Sequence, residues 1–408
     1  MKNAATVRPY VLTNRIQPYE WGMRGKQALI PNLLGIPAEE DKPYAELWMG
    51  THPAAPSMVT VDNKLVDLRE IIEKFPVEIL GRTVYEDFGA NLPFLFKVLS
   101  AGQALSIQAH PNKVQAVHLH AKDPVHYPDQ NHKPEIAVAL DELTMLIGLP
   151  DLKELSARLT IYPDVQRFTG IALTSVNKDS CESGETIIQR FFSTLIQKSS
   201  AESRMFGGLI ASLEADFNSR IGSVSDSERL FLELRKIYPA TDIGLIMVLF
   251  MNLVKLKAGQ AVFISAGIPH AYISGNIIEC MANSDNVVRI GLTNKFKDIP
   301  ALLEIIDYSK QTCQSMNPES RNGVKTYPTP VEEFYIRNIH IDQHSEKRIN
   351  TDDKVQICLI LSGQVDLVWN NGEVLALQKG QSVLIPAVVK TYEFRSQNGA
   401  EIYIASVN

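Results

Sequence analysis

Two stretches in the C-terminal part of the chain repeat one another without gaps, and this repeat restricts the possible folds more than any other feature. Gly259-Gln-Ala-Val-Phe-Ile-Ser265-Ala-Gly267-Ile-Pro-His270 aligns with Gly380-Gln-Ser-Val-Leu-Ile-Pro386-Ala-Val388-Val-Lys-Thr391. In each copy a glycine turn leads into an apolar run of strand length, and a second turn follows before the next strand starts. Two copies predict two β-units. They differ where chemistry is concerned, because His270 ends the first copy and Thr391 the second.

The other segments arrange themselves around that pair. Residues 1–150 carry short apolar runs such as Phe94–Leu99 and Glu135–Leu140, whose lengths suit strands. Beyond Glu185 the period changes: Ile187, Phe191 and Leu195 recur every fourth position, and Ile188, Phe192 and Ile196 do so one residue on. That double row predicts a buried amphipathic helix, and a second helix over Ser227–Ile237 should stop before Pro239. The segment 151–250 therefore reads as a mostly helical insert. At 408 residues, two or three domains are expected.

Charge and hydropathy exclude several functions. Forty basic against 46 acidic side chains leave a net charge of -6, which argues against nucleic acid as a partner. The most apolar stretch, Ile243–Val254, falls short of the roughly 20 residues that a bilayer span needs. The N-terminus has no apolar signal-peptide core. Cys181, Cys280, Cys313 and Cys358 are scattered and read as reduced thiols of a cytoplasmic protein.

Four residues could share a metal ion. In Leu105-Ser-Ile-Gln108-Ala-His110, strand alternation puts Gln108 and His110 on one face and Leu105 and Ile107 on the other. Glu135 opens the next apolar strand, and His270 ends the first repeat copy. This N2O2 set suits zinc with room for water or substrate, and on donor chemistry alone it also suits Mn(II) or Fe(II). His118, His120, His126 and His132 read as exposed loop, His340 and His344 precede the second β-unit, and His52 reads as a turn residue.

The first repeat copy resembles the second motif of the cupin superfamily (Gly, five residues, Pro, any, Gly, two residues, His), with Ser265 in place of the proline. The second copy keeps Pro386 but has Val388 and Thr391 where the pattern has Gly and His. The resemblance implies a mainly β fold of two cupin-type jelly-roll barrels with an α-helical insert domain. The catalytic barrel would comprise residues 1–150 with 251–320, the insert 151–250, and a degenerate C-terminal barrel 321–408.

Across nearly the whole chain the sequence resembles type I mannose-6-phosphate isomerase. The blocks Tyr19–Gly22, Ala45–Gly50, Leu92–Leu99, Leu105–Lys113, Asn131–Glu135 and Pro269–Leu292 carry the likeness, Ile278–Arg289 above all. Glu20 stands where alanine is usual. The resemblance implies one zinc ion per chain on Gln108, His110, Glu135 and His270, and a catalytic Arg289. It implies interconversion of mannose 6-phosphate and fructose 6-phosphate through an enediol. For the base, Glu279 and Lys133 both remain open. Trp21, Lys97, Ser106, Tyr272 and Asp285 are the expected substrate-binding residues. The expected partner is a small sugar phosphate, with neither nucleic acid nor membrane; the oligomeric state is open, with a monomer as the default.

Overall fold

The computed structural model describes residues 7–171, 183–309 and 315–408, so Cys181 and Cys313 lie outside the described residues. The fold is mainly β, with two large sheets and twelve α-helices among the described residues. The first sheet contains β1 (Arg15–Gln17), β2 (Glu46–Met49), β3 (Phe94–Ala101), β4 (Ile107–Ala109), β5 (Glu135–Ala139), β6 (Leu143–Ile147), β7 (Leu253–Leu256), β8 (Ala261–Ile264), β9 (His270–Ala282) and β10 (Val288–Gly291). Its main path runs β7-β6-β9-β3-β2-β1; β5 branches to β8 and β9, and β4 to β9 and β10.

The long strand β9 organises this sheet. Its first part pairs with β6 (His270 opposite Ile147) and its second with β3 and β5 (Glu279 opposite Lys97 and Ala137). Gly275, at φ +122°, makes the corner: a Cβ there would meet the Glu142 carbonyl at 2.7 Å. β3 is buried at every position, which is why its sequence reads as a continuous apolar run rather than an alternating one. Phe94, Phe96 and Val98 face a core shared with the second sheet, while Leu99 and Ala101 face a smaller inner core with Tyr272. Lys97 belongs to that inner face by alternation.

The second sheet is built on the long strand Gln356–Trp369, which pairs with Ser382–Ile385, Thr391–Ser396 and Ala400–Ser406. It recruits the N-terminal strand Tyr10–Thr13, which pairs with Ser382–Leu384, and through it Met58–Val61 and Lys64–Asp67. These segments fall within 1–150 yet hydrogen-bond into the C-terminal sheet. Such long-range pairing leaves no local trace in sequence. His340 lies on Tyr335–Ile341, a strand of this sheet, rather than before it.

The two repeat copies adopt matching backbones. Gly259 and Gly380 have φ of +83° and +84°, and the strands Ala261–Ile264 and Ser382–Ile385 follow them. Ile264 pairs with Glu135 and Ile385 with Gln356, so Gln356 stands where the first sheet has its carboxylate. The expected substitution of Thr391 for the histidine needs correction by one residue. Tyr392 and Phe394 enter the second core, so alternation turns Thr391 outward. The Tyr392 hydroxyl donates to Gln356 Oε1 at 2.6 Å, and Gln356 Nε2 donates to the Asn350 carbonyl at 3.0 Å. The polar groups of that buried pair are satisfied by one another and by backbone.

Helices occupy much of the stretch from residue 152 to 250. Ile187, Ile188, Phe191, Phe192, Leu195 and Ile196 are all buried in the helix Gly184–Ala201. A second helix spans Asp226–Arg235, capped by Ser225 and Glu228, and ends before Pro239. The core of these helices is continuous with Ile107, Ala109, Ala271, Val288 and Ile290 from the back of the first sheet. The helices thereby brace the strands that carry Gln108, His270 and Arg289.

Between the halves, Glu333 Oε1 accepts from His132 Nε2 at 2.6 Å and lies 3.1 Å from Lys113 Nζ. Burial opposes ionisation of Glu333, but the bond and charge of His132, with Lys113, bring its pKa down to about 2 from 4.5. The ionised form is thus favoured in the folded state, and that stabilisation is present above about pH 4.5 and lost as pH falls toward 2. Glu333→Gln should cost about 2 kcal/mol at neutral pH and flatten the stability profile across that acid window. Urea unfolding at a series of pH values measures both effects.

Candidate active site

Alternation on the inner face of the first sheet assembles the charged residues. Trp48, Lys97, Glu279 and Ala137 form one row across β2, β3, β9 and β5. Leu95, Met281 and Glu135 form the row beside it. At the other end of β9, His270 stands opposite Gln108, which also stands opposite Arg289. Directly opposed residues share a face, so Gln108 and His270 point the same way.

His110, Glu135 and His270 meet in a buried cluster, their ligand atoms all within 4.8 Å of one another. His110 Nε2 lies 3.4 Å from Glu135 Oε1, and His270 Nε2 lies 3.3 Å from Glu135 Oε2. His110 Nδ1 bonds the Asn286 carbonyl at 2.8 Å and His270 Nδ1 the Ile268 carbonyl at 2.9 Å. A carbonyl only accepts, so Nδ1 carries the proton and Nε2 presents a lone pair. Burial, with the charge of Lys133, pushes the His110 pKa down to about 4, which keeps the ring neutral. Burial also opposes the charge on Glu135, yet the Lys133 ammonium holds its carboxyl well below its usual range. His110 Nε2, Glu135 Oε2 and His270 Nε2 are buried without any hydrogen-bond partner. Three convergent, unsatisfied donors of electron pairs lack one thing, a cation, and the residues fit a zinc ion.

A cleft of about 510 Å³ opens beside this cluster. Of the residues expected from sequence, Trp21, Lys97, Ser106, Gln108, Lys133, Asp285 and Arg289 line it. Lys133 Nζ lies 3.5 Å from Glu135 Oε1. Tyr272 and Glu279 do not line the cleft; both lie buried beneath it. Glu279 Oε1 accepts from the Tyr272 hydroxyl at 2.9 Å, and Oε2 accepts from Lys97 Nζ at 3.1 Å, so both oxygens are engaged. Burial raises the Glu279 pKa, against the charge of Lys97. Burial opposes the Lys97 charge in turn, but Glu46, 3.5 Å away, and Glu279 hold the ammonium above its ordinary range.

Arg289 makes no ion pair among the described residues, and burial lowers its pKa. Asp285 pairs instead with His52 at 3.1 Å, and no ion pair joins it to Arg289 among the described residues. His52, expected in a turn, is a buried cleft residue. Its Nδ1 accepts from the Ala54 amide at 3.2 Å, leaving Nε2–H to donate to Asp285 Oδ1. Burial would raise the Asp285 pKa, but His52 brings it below the ordinary value.

Sequence reasoning also missed Asp129 and Asn286. Asp129 receives the Ser284 hydroxyl at 2.8 Å and the Asp285 amide at 2.8 Å; Asn286 Nδ2 donates to the carbonyls of Asp129 and Asn131. These bonds tie the loop before β10 to the one before β5. His118 and His120 lie on the helix Lys113–Lys122 rather than in a loop, its start fixed by an Asn112–Gln115 capping box. His120, His126 and His132 are spent on the Tyr127 carbonyl, Asp123 and Glu333.

Residues 10–151 match the family model of the phosphomannose isomerase type I catalytic domain, and residues 323–403 that of the mannose-6-phosphate isomerase cupin domain. The chain is 34% identical to mannose-6-phosphate isomerase 2 of Arabidopsis thaliana, covering 96% of this chain and 92% of that one. It is 34% identical to mannose-6-phosphate isomerase of Mus musculus, over 94% of this chain and 97% of that one. A crystal structure of an alanine mutant of phosphomannose isomerase from Salmonella typhimurium superposes with a TM-score of 0.84 at 30% identity, covering 98% of this chain and all (100%) of that one. A zinc-bound holo structure of mannose 6-phosphate isomerase gives 0.82 at 30% identity, over 97% and 99%.

His270→Ala should leave the purified protein without bound metal by elemental analysis. Asn286→Ala leaves every ligand in place but loosens the loop whose carbonyl orients His110. It should weaken metal affinity by about 10- to 100-fold, read by competition with a chromophoric chelator.

Proposed function

This chain belongs to the phosphomannose isomerase type I family and interconverts mannose 6-phosphate and fructose 6-phosphate, and from that premise we propose how its own residues divide the work. The observation that carries the reading is the buried trio of unsatisfied ligand atoms from His110, Glu135 and His270 beside a cleft lined with cations. Zinc is the metal, one per chain, and Gln108 is proposed as its fourth ligand, supported by its position opposite His270. When bound, zinc supplies a Lewis acid toward the sugar's O1 and O2.

The remaining chemistry falls to side chains. Lys133, which lines the cleft beside Glu135, is proposed to carry the proton. The C2 proton passes to Nζ in its neutral amine form as the C1–C2 double bond forms and O1 takes the charge. The same proton is then delivered to C1, O2 becomes the carbonyl oxygen, and its hydroxyl proton ends on O1. Arg289, which pairs with no carboxylate among the described residues, can donate two parallel N–H bonds to the enediolate. Glu279, whose oxygens are occupied, positions Lys97 rather than meeting substrate. Lys97 and Asp285 are then left to orient sugar hydroxyls, Trp21 to pack on the sugar's apolar face, and Ser106 to meet the phosphate. Tyr272 acts from below, through its bond to Glu279.

On architecture, each sheet is read as a cupin-type jelly roll, supported by the matching repeat copies, with metal in the first only. The proposed units are 1–150 with 251–320, the helical 151–250, and 321–408, with Tyr10–Thr13 strapped across to the last. A cytoplasmic location is the working reading, supported by buried, unpaired Cys280 and Cys358, with a monomer as the default oligomeric state; no helix of the described residues is long and apolar enough to cross a membrane.

Arg289→Ala should retain fold and zinc but lose at least about a hundredfold in kcat, followed by coupling fructose 6-phosphate production to a dehydrogenase. Turnover near that of the parent chain would remove Arg289 from the mechanism.

A further inference from the structure

The open end of the C-terminal sheet carries a cationic groove that the isomerase reaction does not use. Its volume is about 510 Å³, and it is lined by Arg321, Asn322, Val324, Thr326, Arg337, Lys347 and Arg348, without a single carboxylate. A chain of net charge -6 does not collect four cations in one concavity as a by-product of composition.

Arg337 is the decisive residue. It sits on Tyr335–Ile341, which is flanked on both sides by the strands Val324–Tyr327 and Ala400–Ser406. Alternation puts it on the face that Ile339 and Ile341 present to the second core. Its charge is felt by Cys358 and Tyr392, both buried in that core. Its Nε and Nη2 are nonetheless buried without a hydrogen-bond partner, and its guanidinium lies 5.4 Å from the Tyr335 ring centre. Buried guanidinium donors left unmet cost free energy unless something answers them.

Protection of a sheet edge accounts for Arg321, on the outermost strand, but not for an arginine on an interior strand. Thr326 stands opposite Arg337, with Glu319 one strand further out. Lys347 reaches the same groove and donates to the Asn322 carbonyl across the hairpin turn. Arg348 stands opposite Glu393, whose carboxylate is engaged by Arg395.

We propose that this groove binds the dianionic phosphate of a small molecule, with Arg337 as the anchoring guanidinium and Arg321 and Lys347 as flanking donors. A guanidinium fork matches phosphate oxygens pairwise, and the volume suits a small phosphorylated metabolite rather than a polymer. The groove shares no residue with the catalytic cleft.

Isothermal titration calorimetry on the zinc-loaded enzyme tests this, with inorganic phosphate in one arm and glycerol 3-phosphate in the other, to tell free phosphate from a phosphate monoester. The parent chain should show one more binding event than the double variant Arg337→Gln, Lys347→Gln, whose kcat and KM for mannose 6-phosphate should be unchanged. If the buried substitution prevents folding, Arg321→Gln at the exposed hairpin should weaken the same event by about tenfold. Identical titrations for the parent chain and a folded, active variant would overturn the proposal.

Discussion

Glu135 holds a negative charge on the inner face of a sheet where water does not reach it, and much of the molecule answers that charge. His110 and His270 approach its two oxygens, and Lys133 stands 3.5 Å away. Each of these has its own support: a carbonyl behind each imidazole and the Asp129–Asn286 network behind the loops. A metal ion completes the balance, because one lysine is a distant partner for a buried carboxylate. The adjacent row repeats the solution without a metal: Lys97 answers Glu46 and Glu279 together. Two compensated charge clusters thus lie side by side, one able to bind an ion and one already closed.

The second half shows the same backbone after that demand has gone. Where the first sheet has Glu135, the second has Gln356, and a tyrosine rather than an imidazole turns in to meet it. A neutral amide with a hydroxyl and a carbonyl for partners needs no ion. The second half has a structural task. It contributes Glu333 to the residues behind His132, and it binds the N-terminal strand.

Features that depend on local period were readable from the residues. The double row from Ile187 to Ile196 fixes a buried helix because 3.6-residue periodicity survives any tertiary setting. Phe94–Leu99 was readable as a strand through its length and composition. Lys97 within it is the mark of an inward-facing charge. His110, Glu135 and His270 were readable as donors, but their meeting point was not, since 160 positions separate the first from the last. His52 was missed because a Thr-His-Pro sequence looks like any turn, and only its buried bond to Asp285 shows otherwise. Thr391 was misjudged because an ungapped alignment cannot see which of two neighbours faces inward. The placement of Tyr10–Thr13 in the far sheet depends on partners some 370 residues away, beyond any local signal.

One strand, β9, carries His270 near its start and Glu279 near its end, hydrogen-bonded to neighbours on both sides through its second part. Its central amides lie within the sheet and under two cores. They should exchange with deuterium only when the whole molecule opens. Metal holding and charge compensation at the substrate's side therefore belong to the same cooperative unit, and local fluctuations cannot disable one while sparing the other.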